Sequence, residues 1–209
     1  MASRPWYVVF CGVNGSGKST LYRTDLWRTA DMPKRMERIN PDELLRAQGG
    51  NWSSGRDQIT AGKAALQAIE ACFATGGSFN QETTLTGHRA LKTIAEAHAR
   101  GYRVHLLYTG VADAQIALGR IAHRVKTGGH NINEEVVRRR FHTSLSHFCK
   151  ALPYCDEAQV FDNTIAFKRI ALWKSNTLAW WGASSAVGAW LPAAMADEAL
   201  WQRESRTEV

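Results

Sequence analysis

Cysteine is scarce in this sequence: four of 209 residues, namely Cys11, Cys72, Cys149 and Cys155. None of them forms a C-x-x-C pair, and no matching pair of histidines accompanies them. This spacing indicates neither a zinc knuckle nor a disulfide framework. Reduced thiols in the cytoplasm are the simplest interpretation, so we expect a cytoplasmic protein.

The sequence also lacks a signal-peptide pattern and a strongly apolar segment. Its first residues, MASRPWYVVFCG, contain a very short apolar run that leads directly into a glycine-rich loop. Residues 175–196 carry no charge and are long enough to cross a bilayer. However, Gly182, Gly188, Pro192 and several Ser, Thr and Asn residues lower their hydrophobicity. We therefore predict a loop and a buried C-terminal helix in this segment, and no membrane partner.

A large excess of one charge is missing as well. Lys and Arg outnumber Asp and Glu by 26 to 19, which gives a formal net charge of +7. This excess suits an anionic ligand but does not by itself predict a nucleic-acid partner. The chain is long enough for one well-filled core, and we see no repeat, low-complexity segment or linker. We expect a single domain over residues 1–209, with a tail that frays from about residue 197.

Strand-like and helix-like patterns alternate along the chain, which is typical of βαβ units and a parallel sheet. Predicted strands cover residues 6–11, 36–40, 78–81, 103–108 and 158–161, with a sixth candidate at 166–173. Predicted helices begin near residues 17 and 41 and cover residues 57–75, 88–100, 113–127 and 133–152. We therefore expect an α/β fold with a mostly parallel sheet of five to six strands flanked by helices. Sheets of this kind bind ligands at the carboxyl ends of their strands.

The stretch GVNGSGKS, between the first strand and the first helix, matches the phosphate-binding loop (P-loop) pattern G-x-x-x-x-G-K-[ST] in full. Its glycines allow successive backbone N–H groups to converge on phosphate oxygens at the positive end of a helix. Lys18 would reach the β and γ phosphates, and the Ser19 hydroxyl would hold Mg²⁺. The residues expected to bind ATP here are Gly12, Asn14, Gly15, Ser16, Gly17, Lys18, Ser19 and Thr20. The guanine motif N-K-x-D is absent, which disfavours a GTPase and leaves a P-loop kinase or ATPase.

A small-molecule kinase needs a group that orients and deprotonates an acceptor hydroxyl opposite the γ phosphate. Asp42, which follows the second predicted strand, is the first candidate for this base; its alternative role is that of a helix-capping carboxylate. Glu82 ends the third predicted strand, and its alternative role is that of a strand-end cap. The residues expected to bind the acceptor are Asn40, Asp42, Glu82, Thr83 and Thr84.

Positive charge is concentrated between residues 120 and 140. Arg120 and Arg124 lie one helical turn apart and share a face. Guanidinium groups on a mobile helical lid would close over the triphosphate and stabilise charge on the transferred group. For any one of these arginines the alternative is a solvated basic face. Arg138, Arg139 and Arg140 point in three directions on a helix, so one or two of them are expected to face the nucleotide.

Tryptophan is abundant, with eight residues in the chain. Most of them are core candidates. Trp52 is the exception because it lies in a loop rich in Gly and Ser, and we expect it to stack on the base or sugar of a substrate.

Six motifs occur together and in order: GVNGSGKSTL, INPDE, GGSFNQETTLTG, ARGYRVHLLYTG, RVKTGGHNINEEVVRRRF and VFDNT. In these motifs, from about residue 6 to residue 164, the chain resembles the small zeta-toxin-like P-loop kinases. The resemblance implies an enzyme that uses ATP and Mg²⁺ to phosphorylate a sugar hydroxyl of UDP-N-acetylglucosamine. It also implies the toxin of a toxin–antitoxin system, with a protein antitoxin as partner.

The resemblance further implies roles for individual residues. These are Lys18 as the phosphate-loop lysine, Asp42 as the base for the sugar 3′-hydroxyl, Glu82 and Thr84 as substrate-site residues, Arg124 as one γ-phosphate arginine, and Arg139 or a neighbour as the second. Asn133 replaces the proline that is usual in the family, and the Trp-rich stretch after residue 173 lies outside the likeness. These departures bear on the acceptor more than on the phosphoryl chemistry.

Two other functions stay open at this point. A polynucleotide 5′ kinase would suit the basic helix region. A nucleotide-dependent interaction module, in which ATP only orders the lid, would need no acceptor. Another nucleotide sugar or another nucleotide is an alternative acceptor for a related kinase.

Overall fold

The computed structural model describes residues 4–191 and Met195. Its strands are β1 (Trp6–Cys11), β2 (Glu37–Ile39), β3 (Phe79–Thr83), β4 (Arg103–Gly110), β5 (Glu157–Asp162), β6 (Lys168–Lys174) and β7 (Thr177–Trp181). Within the described residues these seven strands form one sheet in the order β2-β3-β1-β4-β5-β6-β7. The pairs from β2 to β5 are parallel, whereas β5, β6 and β7 pair antiparallel. The predicted α/β fold with a mostly parallel sheet is confirmed.

The helices are α1 (Lys18–Arg23), α2 (Pro41–Ala47), α3 (Gly55–Thr75), α4 (His88–Ala99), α5 (Ala114–Lys126) and α6 (Glu134–Ala151), followed by a short 3-10 helix (Leu152–Tyr154). Short polar side chains determine where several of them begin. Asp113 accepts a hydrogen bond from the Ile116 amide at the start of α5, and Asn133 caps α6 in the same way. Asn133 stands where the zeta-toxin pattern has proline, and it starts α6 as the cap of that helix.

The central strand β1 is buried on both faces of the sheet, which explains its unbroken apolar run. Tyr7 and Val9 point into the larger core, which α3, α4 and α6 cover. Val8 and Phe10 point to the opposite face, where Trp27 packs. This alternation follows from the two-residue period of a strand.

The sheet has one strand more than the five to six predicted, because β7 was expected to be part of a loop. Ser175 and Asn176 have φ values of 45° and 62° and form a two-residue turn between β6 and β7. Such turns suit a hairpin because their twist matches that of the strands. All five residues of β7 are exposed, so the strand carries no alternation of buried and exposed side chains from which the sequence could reveal it.

Of the segment expected to form a C-terminal helix, the structure describes Trp190, Leu191 and Met195, and these three residues are helical. Leu191 is buried, and the partly buried Met195 packs against the larger core. The tail predicted to fray from about residue 197 lies outside the described residues. In the part of the chain that is described, no helix combines the length and the apolar character that a membrane crossing needs.

The parallel register brings the motif residues to one edge of the sheet. Phe10 of β1 is level with Glu82 of β3, so this carboxylate lies beside the start of the P-loop. On the other side of β1, the end of β4 is level with Asp162 at the end of β5. The P-loop is thus enclosed by the ends of β3, β4 and β5.

We predict that Gly12→Ala destabilises the protein by about 2 kcal/mol or more. Gly12 has a φ of 134°, and a Cβ there would lie 2.2 Å from the Thr109 carbonyl oxygen of β4. The matched control is Gly62→Ala in α3, where a Cβ meets nothing within 4 Å. That change should stabilise by about 0.5–1 kcal/mol. Urea unfolding measures both, and equal effects of the two substitutions would contradict the prediction.

Candidate functional site

A cavity of about 820 Å³ lies at the carboxyl ends of β1 and β3. Its walls come from the P-loop, α2 with the following loop, the end of β3, α5, and the loop that leads into α6. The residues predicted from the sequence that line it are Asn14, Gly15, Gly17, Lys18, Ser19, Thr20, Asn40, Asp42, Glu82, Thr83, Thr84, Arg120 and Arg124. Gly12, Ser16 and Arg139, which were also predicted, do not line it.

Gly12 and Ser16 lie on the side of the P-loop that faces the protein interior and not the cavity. Gly12 lies against β4, as described above, and Ser16 is fully buried. The Ser16 carbonyl accepts a hydrogen bond of 2.7 Å from the Asn163 side chain, which follows β5. Sequence reasoning did not give Asn163 a role, although it belongs to the VFDNT motif. It ties the phosphate loop to the last parallel strand.

Lys18 opens α1 and is buried, with its Nζ donating to the Val13 carbonyl at 3.0 Å. Burial lowers the pKa of Lys18, while the carboxylates of Glu82 and Asp42 act in the opposite direction. A buried ammonium held by one carbonyl retains donors for phosphate oxygens. The position and surroundings of Lys18 are those of a phosphate-binding lysine.

Glu82 connects three elements through hydrogen bonds to its buried carboxylate. Ser19 of α1 donates its hydroxyl to Oε1 at 2.8 Å. Arg38 of β2 and Asn40, the cap of α2, donate to Oε2 at 2.8 and 3.0 Å. The side chain thus has partners on the P-loop side and on the side of Asp42.

The Ser19 and Glu82 oxygens fit a magnesium ion by their chemistry, since Mg²⁺ prefers hard oxygen ligands. No cluster of three or more His, Cys, Asp or Glu side chains suited to a metal occurs in the described chain. Mg²⁺ is usually bound through one or two protein side chains together with substrate phosphates and waters, so two oxygens are a sufficient protein contribution.

Arg38 was missed by sequence reasoning. Its guanidinium lies 3.8 Å from the centre of the Tyr22 ring and pairs with both Glu43, at 3.0 Å, and Glu82, at 2.8 Å. A lone arginine in a three-residue strand gives no signal in the sequence. Its importance comes from contacts with residues far along the chain.

Asp42 lies in the first turn of α2, but the cap of this helix is Asn40, whose Oδ1 accepts from the Asp42 amide at 2.9 Å. Burial raises the pKa of the Asp42 carboxyl, and repulsion from Glu82 raises it further. Lys18, Arg124 and Arg46 act in the opposite direction. A carboxylate with a raised pKa is a stronger base than an exposed one, which suits proton abstraction.

The lid arginines present donors to the cavity. Arg120 donates through Nη2 to the Asn163 and Thr164 carbonyls at 2.6 and 3.1 Å, and Arg124 donates to the His130 carbonyl at 3.2 Å. Among the described residues, the buried Nη1 of Arg120 and Nε of Arg124 have no hydrogen-bond partner. Buried donors of this kind are costly unless a partner completes them. An anionic ligand in the cavity is a suitable partner.

The third arginine of the wall is Arg140, and the expectation for Arg139 is corrected. Arg140 is partly buried and donates to the Asn14 side chain of the P-loop at 2.8 Å. Burial and the charge of Arg139 lower the pKa of Arg140. Arg139 is exposed, and Arg138 pairs on the surface with Glu134. Because successive helical residues are turned by about 100°, the three arginines point in different directions, and here Arg140 is the one that faces the P-loop.

Trp52 and His130 both line the cavity and are in contact with each other. Their rings are stacked, with centroids 4.0 Å apart and planes inclined by 14°. Burial and the nearby charges of Arg124 and Arg46 lower the pKa of His130 to about 4. The imidazole is therefore neutral at physiological pH.

Residues 8–150 of the chain match the family model described as AAA domain. An uncharacterized protein of Haemophilus influenzae is 34% identical over 137 residues, which cover 64% of this chain and 91% of that protein. The match to the family model therefore spans the P-loop, Asp42, Glu82, Arg120, Arg124 and Arg140.

Solved structures show the same fold at low identity. The PezAT toxin–antitoxin system of Streptococcus pneumoniae matches with a TM-score of 0.57 and 16% identity, covering 86% of this chain and 72% of that chain. The AvrRxo1-ORF1:AvrRxo1-ORF2 complex with sulphate ions matches with a TM-score of 0.66 and 14% identity, covering 87% and 62%. The same pair with ATP matches with a TM-score of 0.62 and 14% identity, covering 85% and 61%. The fold is that of P-loop kinases.

We predict that Arg38→Gln destabilises the protein by about 3 kcal/mol, because it leaves the Glu82 carboxylate buried without its cation. The side chains of Arg38 and Glu82 are only 13% and 9% exposed. The control is Arg138→Gln, whose partner Glu134 is 61% exposed, and it should cost less than about 1 kcal/mol. Urea unfolding compares the two, and a similar small loss for both would show that the buried pair contributes little.

We predict that Asp42→Asn makes the protein more stable at pH 7. The pKa of the Asp42 carboxyl is higher in the folded than in the unfolded state, so its ionisation at neutral pH lowers the free energy of unfolding. This loss disappears as the pH falls through the folded-state pKa towards the ordinary value of 3.8. The advantage of the variant should therefore shrink as the pH falls to about 4. Asp113→Asn, which keeps the cap of α5, should change stability by less than about 0.5 kcal/mol at either pH. Chemical denaturation at several pH values tests the trend, and a less stable Asp42→Asn at pH 7 would refute it.

Proposed function

This chain belongs to the AAA domain family, and we propose that it is an ATP-dependent phosphotransferase with an alcohol as acceptor. The observation that carries the proposal is that Lys18 and Asp42 line one cavity, where each stabilises the charged form of the other. Transfer to a hydroxyl requires a cation at the phosphates and a base at the acceptor. One cavity offers both.

In this proposal the P-loop amides and Lys18 hold the β and γ phosphates. Arg124 and Arg140 stabilise the negative charge that spreads over the transferred group. Arg120 binds the nucleotide beside the Asn163 carbonyl, to which it is already hydrogen bonded. Arg140 takes the role that the zeta-toxin resemblance gave to Arg139 or a neighbour, and its hydrogen bond to Asn14 supports this choice.

Asp42 is the proposed catalytic base. Its carboxylate takes the proton of the acceptor hydroxyl as the acceptor oxygen bonds to the γ phosphorus. The bond between that phosphorus and the oxygen bridging to the β phosphate breaks, and ADP leaves. Asn40 orients the Asp42 carboxylate by capping the helix that carries it. Asn40, Glu82, Thr83 and Thr84 are the proposed residues that hold the acceptor.

Ser19 is the proposed protein ligand of Mg²⁺, with Glu82 as its hydrogen-bonded neighbour. When bound, the ion would neutralise charge on the β and γ phosphates. The Ser19 hydroxyl would hold the ion through its oxygen, and the Glu82 carboxylate, which accepts the proton of that hydroxyl at 2.8 Å, would orient it.

The proposed acceptor is a sugar hydroxyl of UDP-N-acetylglucosamine or a related UDP-amino sugar. The resemblance of the motifs to zeta-toxin-like kinases supports this choice. The fold is shared with the PezAT toxin–antitoxin system. The AvrRxo1 pair, which shares the fold, was crystallised with ATP. We extend the proposal to a role as the toxin of a toxin–antitoxin pair, with a separate protein antitoxin as partner.

The test of the acceptor uses labelled ATP with a panel of nucleotide sugars and an oligonucleotide that has a free 5′-hydroxyl. Mass spectrometry identifies the phosphorylated species. We expect phosphate on the sugar of UDP-N-acetylglucosamine or a related compound. Phosphate on the oligonucleotide alone would establish a polynucleotide kinase instead, and tight ATP binding with no acceptor modified would favour an interaction module.

We predict that Asp42→Ala lowers kcat by about 100- to 10,000-fold and leaves ATP affinity nearly intact, because the base acts only on the acceptor. Lys18→Ala should impair both. Single-turnover kinetics and calorimetric ATP binding separate the two effects. Near-native transfer by Asp42→Ala would remove Asp42 as the base.

A second pair of variants tests the corrected arginine. Arg140→Ala should lower kcat by about 100-fold or more because it removes a donor to the transferred group. Arg139→Ala is the matched control and should stay within about twofold of the wild type, because this side chain is exposed outside the cavity. The reverse order of effects would assign the role to Arg139.

A further inference from the structure

The Trp52–His130 stack joins two separate walls of the cavity. Trp52 lies between α2 and α3, on the wall that also carries Asp42. His130 lies between α5 and α6, on the lid side. An indole ring that lines a polar cavity and accepts a flat ring at 4.0 Å is a stacking surface that phosphate binding does not explain.

The loop that carries Trp52 is held by its own hydrogen bonds. The Gln58 side chain of α3 donates to the Trp52 carbonyl at 2.6 Å. Asn51 accepts from the Ser53 amide at 2.9 Å, and its own amide donates to Asp57 at 2.9 Å. The backbone at Trp52 is therefore fixed independently of His130. A fixed aromatic side chain binds a ring at low conformational cost.

The wall around Trp52 differs in character from the phosphate side of the cavity. Leu45 of α2 and Ala61 of α3, the helices on either side of the loop that carries Trp52, line the cavity and are both buried. The phosphate side, in contrast, presents Lys18 and backbone amides. An apolar wall with one aromatic surface suits a flat organic ring, whereas the phosphate side suits the triphosphate.

We propose that Trp52 is the residue on which the aromatic base of the proposed nucleotide-sugar acceptor stacks. The inference rests on the proposed function, since it concerns the acceptor of that same site. His130 occupies the place of the base in the present structure. Its imidazole is neutral at physiological pH, so no ion pair with the protein holds it against Trp52.

Displacement of His130 by the base would also change the contacts of Arg124. The Nη2 of Arg124 lies 3.4 Å from the His130 ring and 3.2 Å from its carbonyl. When the ring leaves, that guanidinium group loses a partner and gains freedom to reach the transferred phosphate. Binding of the base at Trp52 is thereby linked to the arginine that completes the phosphate site.

The experiment measures binding without transfer, so that it does not depend on catalysis. The cavity's phosphate side is first filled with a non-hydrolysable ATP analogue and Mg²⁺. Binding of UDP, CDP and GDP, and of N-acetylglucosamine 1-phosphate, which has no base, is then measured by calorimetry. The variants are Trp52→Ala, Trp52→Phe and His130→Ala, with Trp180→Ala as the control because Trp180 lies on β7 and does not line the cavity.

We expect the wild type to bind at least one nucleoside diphosphate, and Trp52→Ala to weaken that binding by about 5- to 100-fold, the range for loss of one base–aromatic stack. Trp52→Phe should retain most of the affinity, and Trp180→Ala should change nothing. His130→Ala should not weaken binding, because the imidazole competes for the same face of Trp52. Affinity for N-acetylglucosamine 1-phosphate should be the same in all variants.

The inference is overturned if no nucleoside diphosphate binds the wild type, or if Trp52→Ala binds as tightly as the wild type. It is also overturned if Trp52→Ala and His130→Ala weaken binding equally, since the stack would then be a structural clasp. Thermal unfolding of each variant confirms that it is folded. If a nucleoside diphosphate binds at Trp52 but no phosphate is transferred, the proposed kinase activity is refuted and the role of Trp52 stands. If phosphate is transferred to a sugar phosphate and substitution of Trp52 has no effect, the kinase activity stands and the role of Trp52 is refuted.

Discussion

The candidate site depends on the buried carboxylate of Glu82. It accepts hydrogen bonds from Ser19 at the P-loop, Arg38 on β2 and Asn40 at the start of α2. A buried carboxylate is tolerated only when it is paired and hydrogen bonded. Loss of any one of these three hydrogen bonds would therefore lower stability, which holds the three elements in one arrangement. Asn40 in turn caps the helix that carries Asp42. The distance between the phosphate loop and the proposed base is thus set through one side chain.

The charges of the cavity are balanced in a way that suits a bound triphosphate and a reacting hydroxyl. Burial alone would favour neutral Lys18 and neutral Asp42, and each partly offsets this effect on the other. The arginines of α5 and α6 that line the cavity add positive charge, and no carboxylate of these two helices lines it. Because water is partly excluded, each of these charges acts more strongly than at the surface. The cavity therefore suits a polyanion, and the proposed base Asp42 lies in its wall.

Part of this site was readable in the sequence because it is encoded locally. The P-loop is a continuous stretch between a strand and a helix, and the carboxyl ends of parallel strands meet at one edge, so Asp42 and Glu82 were expected near it. Arg38 was not, because a single arginine in a short strand looks like a surface residue. Arg139 was placed wrongly because three consecutive arginines leave the phase of the helix undetermined. The strand β7 escaped because no face of it is buried.

The sequence by itself determined the α/β class, the phosphate loop and the set of polar residues at the strand ends, since these follow from local spacing and from the period of strands and helices. Only the tertiary structure decided which arginine touches Asn14, which cation neutralises Glu82, and that Trp52 stacks on His130. Those contacts join residues 44 to 126 positions apart. Spacing along a chain cannot specify them, because they arise from how helices rotate and pack on the sheet.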